Sequence, residues 1–175
     1  MTAVWTSPRT WVTNELVTAP LMNAHIRDNM DYLYTRPRVV NNTNSAADVS
    51  TTSTTFADVD GTGSEFTINI TTSGGRLLVG FAGTMSAGSG STSYRGYLDV
   101  EIDGVRLGGD DGLLNFYYPF AGVVSFVAMT NVLSVASHTV KLQWKSSNAA
   151  NTLTCYMGAG TLNHDLHPQF WALEV

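Results

Sequence analysis

The densest group of titratable side chains is His164, Asp165 and His167, three groups within four residues. Imidazole and carboxylate are metal-ligand types, and His138 offers a further nitrogen. A His-x-x-His pair in a loop is a weak signature without a third placed ligand. The competing reading is a polar turn, set by His167-Pro168, ahead of a final strand. A second group, Asp99, Glu101 and Asp103, alternates along one segment, with Asp110 and Asp111 close behind. Oxygen ligands so arranged suit calcium, and paired acids suit glycoside hydrolysis where a cleft matches them. The plainer reading is the solvated face of a strand. Neither group commits the chain to a metal, so the expectation is no metal and no cofactor.

Other reactive patterns are missing. The sequence holds no Gly-x-Ser-x-Gly, no Gly-x-x-x-x-Gly-Lys, no His-Glu-x-x-His and no Cys-x-x-Cys. The one cysteine, Cys155, falls in an alternating segment and reads as a small core residue, and one cysteine excludes an intrachain disulfide. The sequence therefore points away from an enzyme. Phe116, Tyr117, Tyr118 and Phe120 form the richest aromatic stretch. Exposed, they would stack on sugar rings or anchor a protein contact; otherwise they plug the end of a fold or fill a subunit contact.

Composition narrows the partners. Of 175 residues, 43% are apolar and only 13% charged, so a sizeable core is combined with a polar, weakly charged surface. Net charge is −5 and the nine Lys and Arg are scattered, which excludes the concentrated positive field of a nucleic-acid binder. No apolar run reaches membrane-spanning length, so no membrane insertion is expected. A basic segment followed by an apolar run is missing at the N-terminus, which predicts no signal peptide.

From residue 55 onward, period-two alternation dominates. Phe66, Ile68 and Ile70 form one set; Leu77, Val79 and Phe81 a second; Leu98, Val100 and Ile102 a third; Val140, Leu142 and Trp144 a fourth. Asp103-Gly104 is a two-residue hairpin signal. The nearly continuous apolar run 123–129 predicts a strand buried on both faces. Short strands at 152–157 and 170–175 complete the set, with Gly-rich loops between. The expected fold is mainly β: an antiparallel β-sandwich, jelly-roll-like, preceded by an N-terminal extended arm and one short α-helix. The expected boundaries are 1–37 for arm and helix, 38–54 for a Ser/Thr/Asn-rich linker and 55–175 for the sandwich. An apolar final strand predicts a central or subunit-contact position, with Phe170, Trp171, Leu173 and Val175 as trimer-interface candidates.

The helix lies in residues 11–33. Thr18 is placed to cap it, Pro20 falls in its first turn, and Pro37 stops it near Thr35. Met22, Ile26, Met30 and Leu33 share one face, while Arg27 and Asp31 are spaced to pair on the other. So short a helix is marginal alone, and its apolar stripe requires a partner surface. Upstream, Trp5 and Trp11 either insert into pockets on another protein or fold back on their own domain.

These residues carry a resemblance. Thr10-Trp11, Glu15-Leu16-Val17, Thr18-Ala19, Met22-Asn23, Ile26-Arg27-Asp28-Asn29 and Leu33 together resemble an N-terminal segment of structural proteins of tailed bacteriophages. The likeness covers about 25 of 175 residues. It implies a virion component, associated with tail or head, assembled in a host cytoplasm and exposed on the particle. Docking would run through Trp5, Trp11, Leu16, Met22, Ile26, Met30 and Leu33 onto other virion proteins. A looser resemblance links residues 77–83, 99–107 and 170–175 to the trimeric jelly rolls of the tumour-necrosis-factor and complement-globular-head class, which implies a homotrimer. The alternative function is an adhesin whose aromatic loop reads a host-surface glycan or protein.

Overall fold

The computed structural model describes residues 5–42, 47–60, 64–88, 94–117, 119–158 and 167–175. Its body is two antiparallel sheets packed face to face. In the first, β1 (Arg38–Asn42) pairs with β12 (Gln169–Glu174), which pairs with β5 (Leu77–Ala87). Further along β5 lies β11 (Leu153–Tyr156), with β2 (Val49–Thr51) outside it. β9 (Gly122–Met129) pairs with β5 from Leu78 to Met85. That span overlaps both other registers, so β9 takes the opposite edge of β5 from β12 and β11.

The second sheet is built on β10 (Ser137–Ser146). Its partners are β3 (Ala57–Asp58) and β4 (Thr67–Thr71) on one edge and β6 (Gly96–Ile102) on the other. Two short strands, β7 (Val105–Arg106) and β8 (Leu114–Phe116), lie along the outer edge of β6. The turn into β7 has Asp103 at φ 51° and Gly104 at φ 86°. Both central residues are left-handed, as the right-handed twist of a two-residue hairpin requires.

Alternation decides which side chains meet. Ile68 and Ile70 of β4, Val79 and Phe81 of β5, Leu98 and Val100 of β6 and Leu142 and Trp144 of β10 all point inward and are buried. The rings of Phe66, Phe81 and Phe170 form the centre, at 5.8 Å for Phe66–Phe81 and 6.4 Å for Phe66–Phe170. Cys155 is also core, and burial pushes its thiol far up, leaving it inert as a nucleophile.

Three expectations change. Residues 38–54 are not simply a linker: β1 and β2 lie in this stretch and complete the first sheet. β9 is covered on one face only. Val124 is buried, whereas Val123, Val127 and Met129 are exposed, because they point from the outer face of the first sheet, which no layer covers among the described residues. Phe170 leaves the interface set, since the pleat turns it into the core beside Phe81 while Trp171 and Leu173 face outward. The final strand is central in its sheet, between β1 and β5.

Candidate functional site

Residues 5–35 form an arm and a helix ahead of the sandwich. The helix begins with α1 (Ala19–Met22), widens into a π-helical turn (Asn23–Arg27) and returns to α2 (Asp28–Tyr34). Thr18 takes the extended backbone of an N-cap and its carbonyl accepts from Met22, but its hydroxyl makes no capping bond. Thr35 ends the helix, its N–H and hydroxyl both donating to the Asp31 carbonyl. Arg27 pairs with the adjacent Asp28 at 2.7 Å rather than with Asp31. This exposed pair contributes little to stability.

The arm folds back along the helix. Asn29 holds it: the Thr6 N–H donates to Oδ1 at 2.8 Å, and Nδ2 donates to the Thr6 carbonyl at 2.8 Å and the His25 carbonyl at 3.3 Å. Trp5 packs on Tyr32 at 5.9 Å and Trp11 lies edge-on to His25 at 6.3 Å. Arg9 stacks over Trp11 and bonds Glu15, which also accepts from the Val12 N–H. The two tryptophans thus pack on the helix itself, and Trp5 and Trp11 keep 40% and 39% of their surface exposed. Asn29 is the positioning residue that periodicity passes over, because a single Asn inside a helix carries no sequence signal of its tertiary partner.

With one face occupied by the arm, the other is left bare. Met22, Ile26, Met30 and Leu33 are 43%, 43%, 66% and 49% exposed. The π turn matters for this alignment. In an ideal α-helix, residues spaced by four drift around the axis, and the wider turn slows that drift between Met22 and Ile26. The arm turns at residues 12–15, and Leu16 just past the turn is 80% exposed, while Val12 and Val17 are exposed in part. The base of the unit meets the sandwich around a cleft of about 230 Å³ lined by Trp5, Leu33, Arg36, Gly74 and Val175.

The other candidates are dispersed. Phe116 is buried in β8 with its ring against Gly96, so it is a packing residue and not part of a ligand loop. Tyr117 is half-buried, Phe120 is exposed, and Tyr118 lies outside the described residues. Trp171 and Leu173 lie half-covered on the outer face of the first sheet, and the Trp171 ring rests on Gly80.

The acidic row is not a free solvated face. Asp99 is fully buried and accepts from the N–H groups of Val100 (2.8 Å) and Gly108 (2.9 Å). Burial raises its pKa against those bonds and the nearby Arg106. Glu101 accepts from Gln143 at 2.6 Å, and Gln143 also donates to Asp58 at 3.0 Å. Burial pushes Asp58 up, but the bonds from Lys141 (2.8 Å) and Gln143 outweigh it and hold the carboxyl below its usual range. Asp103 accepts from His138 Nδ1 at 2.6 Å, and the other ring nitrogen meets the Ser134 carbonyl at 3.0 Å. Two acceptors on one ring favour the doubly protonated form and raise the His138 pKa. These acids are committed to protein donors. Among the described residues, no group of three or more His, Cys, Asp or Glu is arranged to hold a metal ion. His164 and Asp165 lie outside the described residues, and His167 is exposed.

No helix among the described residues is long and apolar enough to cross a membrane. No protein-family model matches the chain, and no curated protein matches it. Solved structures do match. The Gx strain of infectious bursal disease virus is 12% identical over 79% of this chain and 36% of that chain, with a TM-score of 0.42. The VP2 protein of the same virus in its D431N form is 14% identical over 80% of this chain and 36% of that chain, with a TM-score of 0.43. A pentameric capsid protein from metagenomic phage sequences is 16% identical over 78% of this chain and 60% of that chain, with a TM-score of 0.26. The chain spans about a third of the length of the bursal virus proteins it matches.

Proposed function

We propose that this chain is a structural protein of a tailed-phage virion, docked through its N-terminal arm and helix, with the sandwich projecting as a surface module of tail or head. One observation carries the reading. The segment that resembles phage structural proteins is the segment whose arm folds back on its helix and leaves Met22, Ile26, Met30 and Leu33 between 43% and 66% exposed. An isolated stripe of that kind is stable only against a second surface. Leu16, just past the turn of the arm, is exposed as well. Deletion of the first 35 residues tests it: the remaining domain should stay folded and no longer enter particles. Normal incorporation of the truncated chain would end the proposal.

A second reading, host attachment through a glycan, has its own observation. A cavity of about 320 Å³ is lined by Ser86, Tyr94, Pro119, Thr152, Thr154 and Tyr156. Its hydroxyls and rings suit a neutral sugar. A glycan array read with the intact protein and with Tyr94→Ala tests it; no binding by the intact protein removes it.

A further inference from the structure

The two flanks of the sandwich differ. On one, the Asn41 amide of β1 donates to the carbonyls of Glu65 (3.3 Å) and Thr67 (2.9 Å) and ties one sheet to the other. On the other, β8 and β9 are both outermost strands. Between them lies a groove of about 500 Å³ lined by Arg95, Asn115, Tyr117, Val123 and Ser125. Phe126 packs on Phe81 at 6.2 Å but is only partly covered at this flank. Among the described residues, no strand pairs with the outer edge of β9.

That edge lacks the features that keep edges apart. Natural edge strands are blunted by charges, proline, bulges or a covering element. β9 contains no charge and no proline, and no Asp, Glu, Lys or Arg occurs from residue 112 to residue 137. Its outward side chains Val123, Val127 and Met129 are 70%, 62% and 58% exposed. They continue an apolar face. Register sets Val127 beside Gly80, Trp171 and Val40, and Met129 beside Leu78 and Leu173. The outer face of the second sheet is the opposite, a net of Asp58, Lys141, Gln143 and Glu101.

We propose that the edge of β9 pairs antiparallel with the β9 edge of a second copy of this chain, across a two-fold axis at Ser125, which sets Val127 opposite Val123 of the other copy on the same face. Four arguments favour a second copy over another occupant. An antiparallel strand edge is self-complementary under a two-fold, which is the commonest symmetry of oligomers. With no charge on β9, neither copy repels the other. Among the described residues, Arg95 alone would answer a charged partner along the groove. The edge also offers backbone pairing along its eight residues, and the outward row of Val123, Val127 and Met129 would run on into the same row of the second copy as one apolar face. The pair would also cover Phe126 and extend the first sheet through both molecules.

The test uses the full chain at micromolar concentration. Sedimentation equilibrium should give about twice the 18.8 kDa chain mass. Val127→Lys, on an exposed position, should return the chain mass with unchanged circular dichroism. Independently, Ser125→Cys should form a disulfide-linked dimer on mild oxidation, whereas Val105→Cys, exposed on the other sheet, should not; Cys155 is buried and does not interfere. A monomeric parent overturns the pairing. So does an unchanged mass in Val127→Lys, a mass of three chains, or a dimer that Ile26→Asp/Met30→Asp abolishes while Val127→Lys leaves it intact.

Discussion

Replacing Asn29 with alanine should release the arm while leaving both the helix and the sandwich folded. Asn29 is 6% exposed and makes two 2.8 Å bonds to Thr6, one as acceptor and one as donor. A hydrogen bond contributes about 1 kcal/mol net, so losing both costs arm closure about 2 kcal/mol, close to a thirtyfold change in the open fraction. The aromatic contacts of Trp5 and Trp11 remain, so the arm loosens and does not vanish. Alanine is a better helix former than asparagine, so the helix itself does not weaken. Trypsin cutting after Arg9 reads the arm directly. Where reclosing is faster than cleavage, the rate follows the open fraction. Cleavage at Arg9 should therefore rise about thirtyfold, with the melting temperature of the sandwich unchanged. An unchanged Arg9 cleavage rate would refute the idea that Asn29 pins the arm.

Three further outcomes follow from the packing and the charges. Gly80→Ala should lower the melting temperature and alter tryptophan fluorescence, because a Cβ there would lie 2.2 Å from the Trp171 ring and the ring must leave the sheet surface; an unshifted melt would show that the ring has room to move. The His138–Asp103 pair should make stability pH-dependent. The raised His138 pKa contributes stability that is full below the unfolded value near 6.5 and is lost as pH rises through the folded value. The bond from His138 lowers the Asp103 pKa, so its contribution is present above about 4 and is lost as pH falls through its folded value. Melting temperature measured from pH 4 to 9 should thus fall on the alkaline side of His138, and Asp103→Asn should flatten that fall. Glu174→Ala should destabilise by about 2–3 kcal/mol, since a fully buried carboxylate that accepts from Ser73 (2.7 Å) and Gly75 (2.8 Å) is removed; urea titration reads it, and a change under about 0.5 kcal/mol would contradict it.

The strands were legible in the sequence where one face meets the core. β4, β6 and β10 follow their alternation, and Asp103-Gly104 makes the turn its residue types require. β9 misled because a run of apolar residues looks the same whether a second layer or water covers its outer face. The Asn, Ser and Thr stretch holding β1 and β2 misled for the reverse reason: these edge strands bury little, so they need few apolar side chains. The acid row of β6 was visible, but its partners on β3 and β10 are far away in sequence and only register brings them opposite. In the helix, spacing found the stripe and the end at Thr35. It found neither the π turn nor the bond from Asn29 to Thr6, since both depend on where the arm lies.

The exposed apolar stripe of the helix is the proposed docking surface. Its most direct test is the copy number per purified phage particle of the full chain and of Ile26→Asp/Met30→Asp. Both side chains are exposed, so the variant keeps its fold. Burying two carboxylates in an apolar contact costs several kcal/mol, so copies per particle should fall at least tenfold while the soluble variant keeps its melting temperature. Equal copy numbers for the two proteins would contradict the claim that this stripe attaches the chain to a virion.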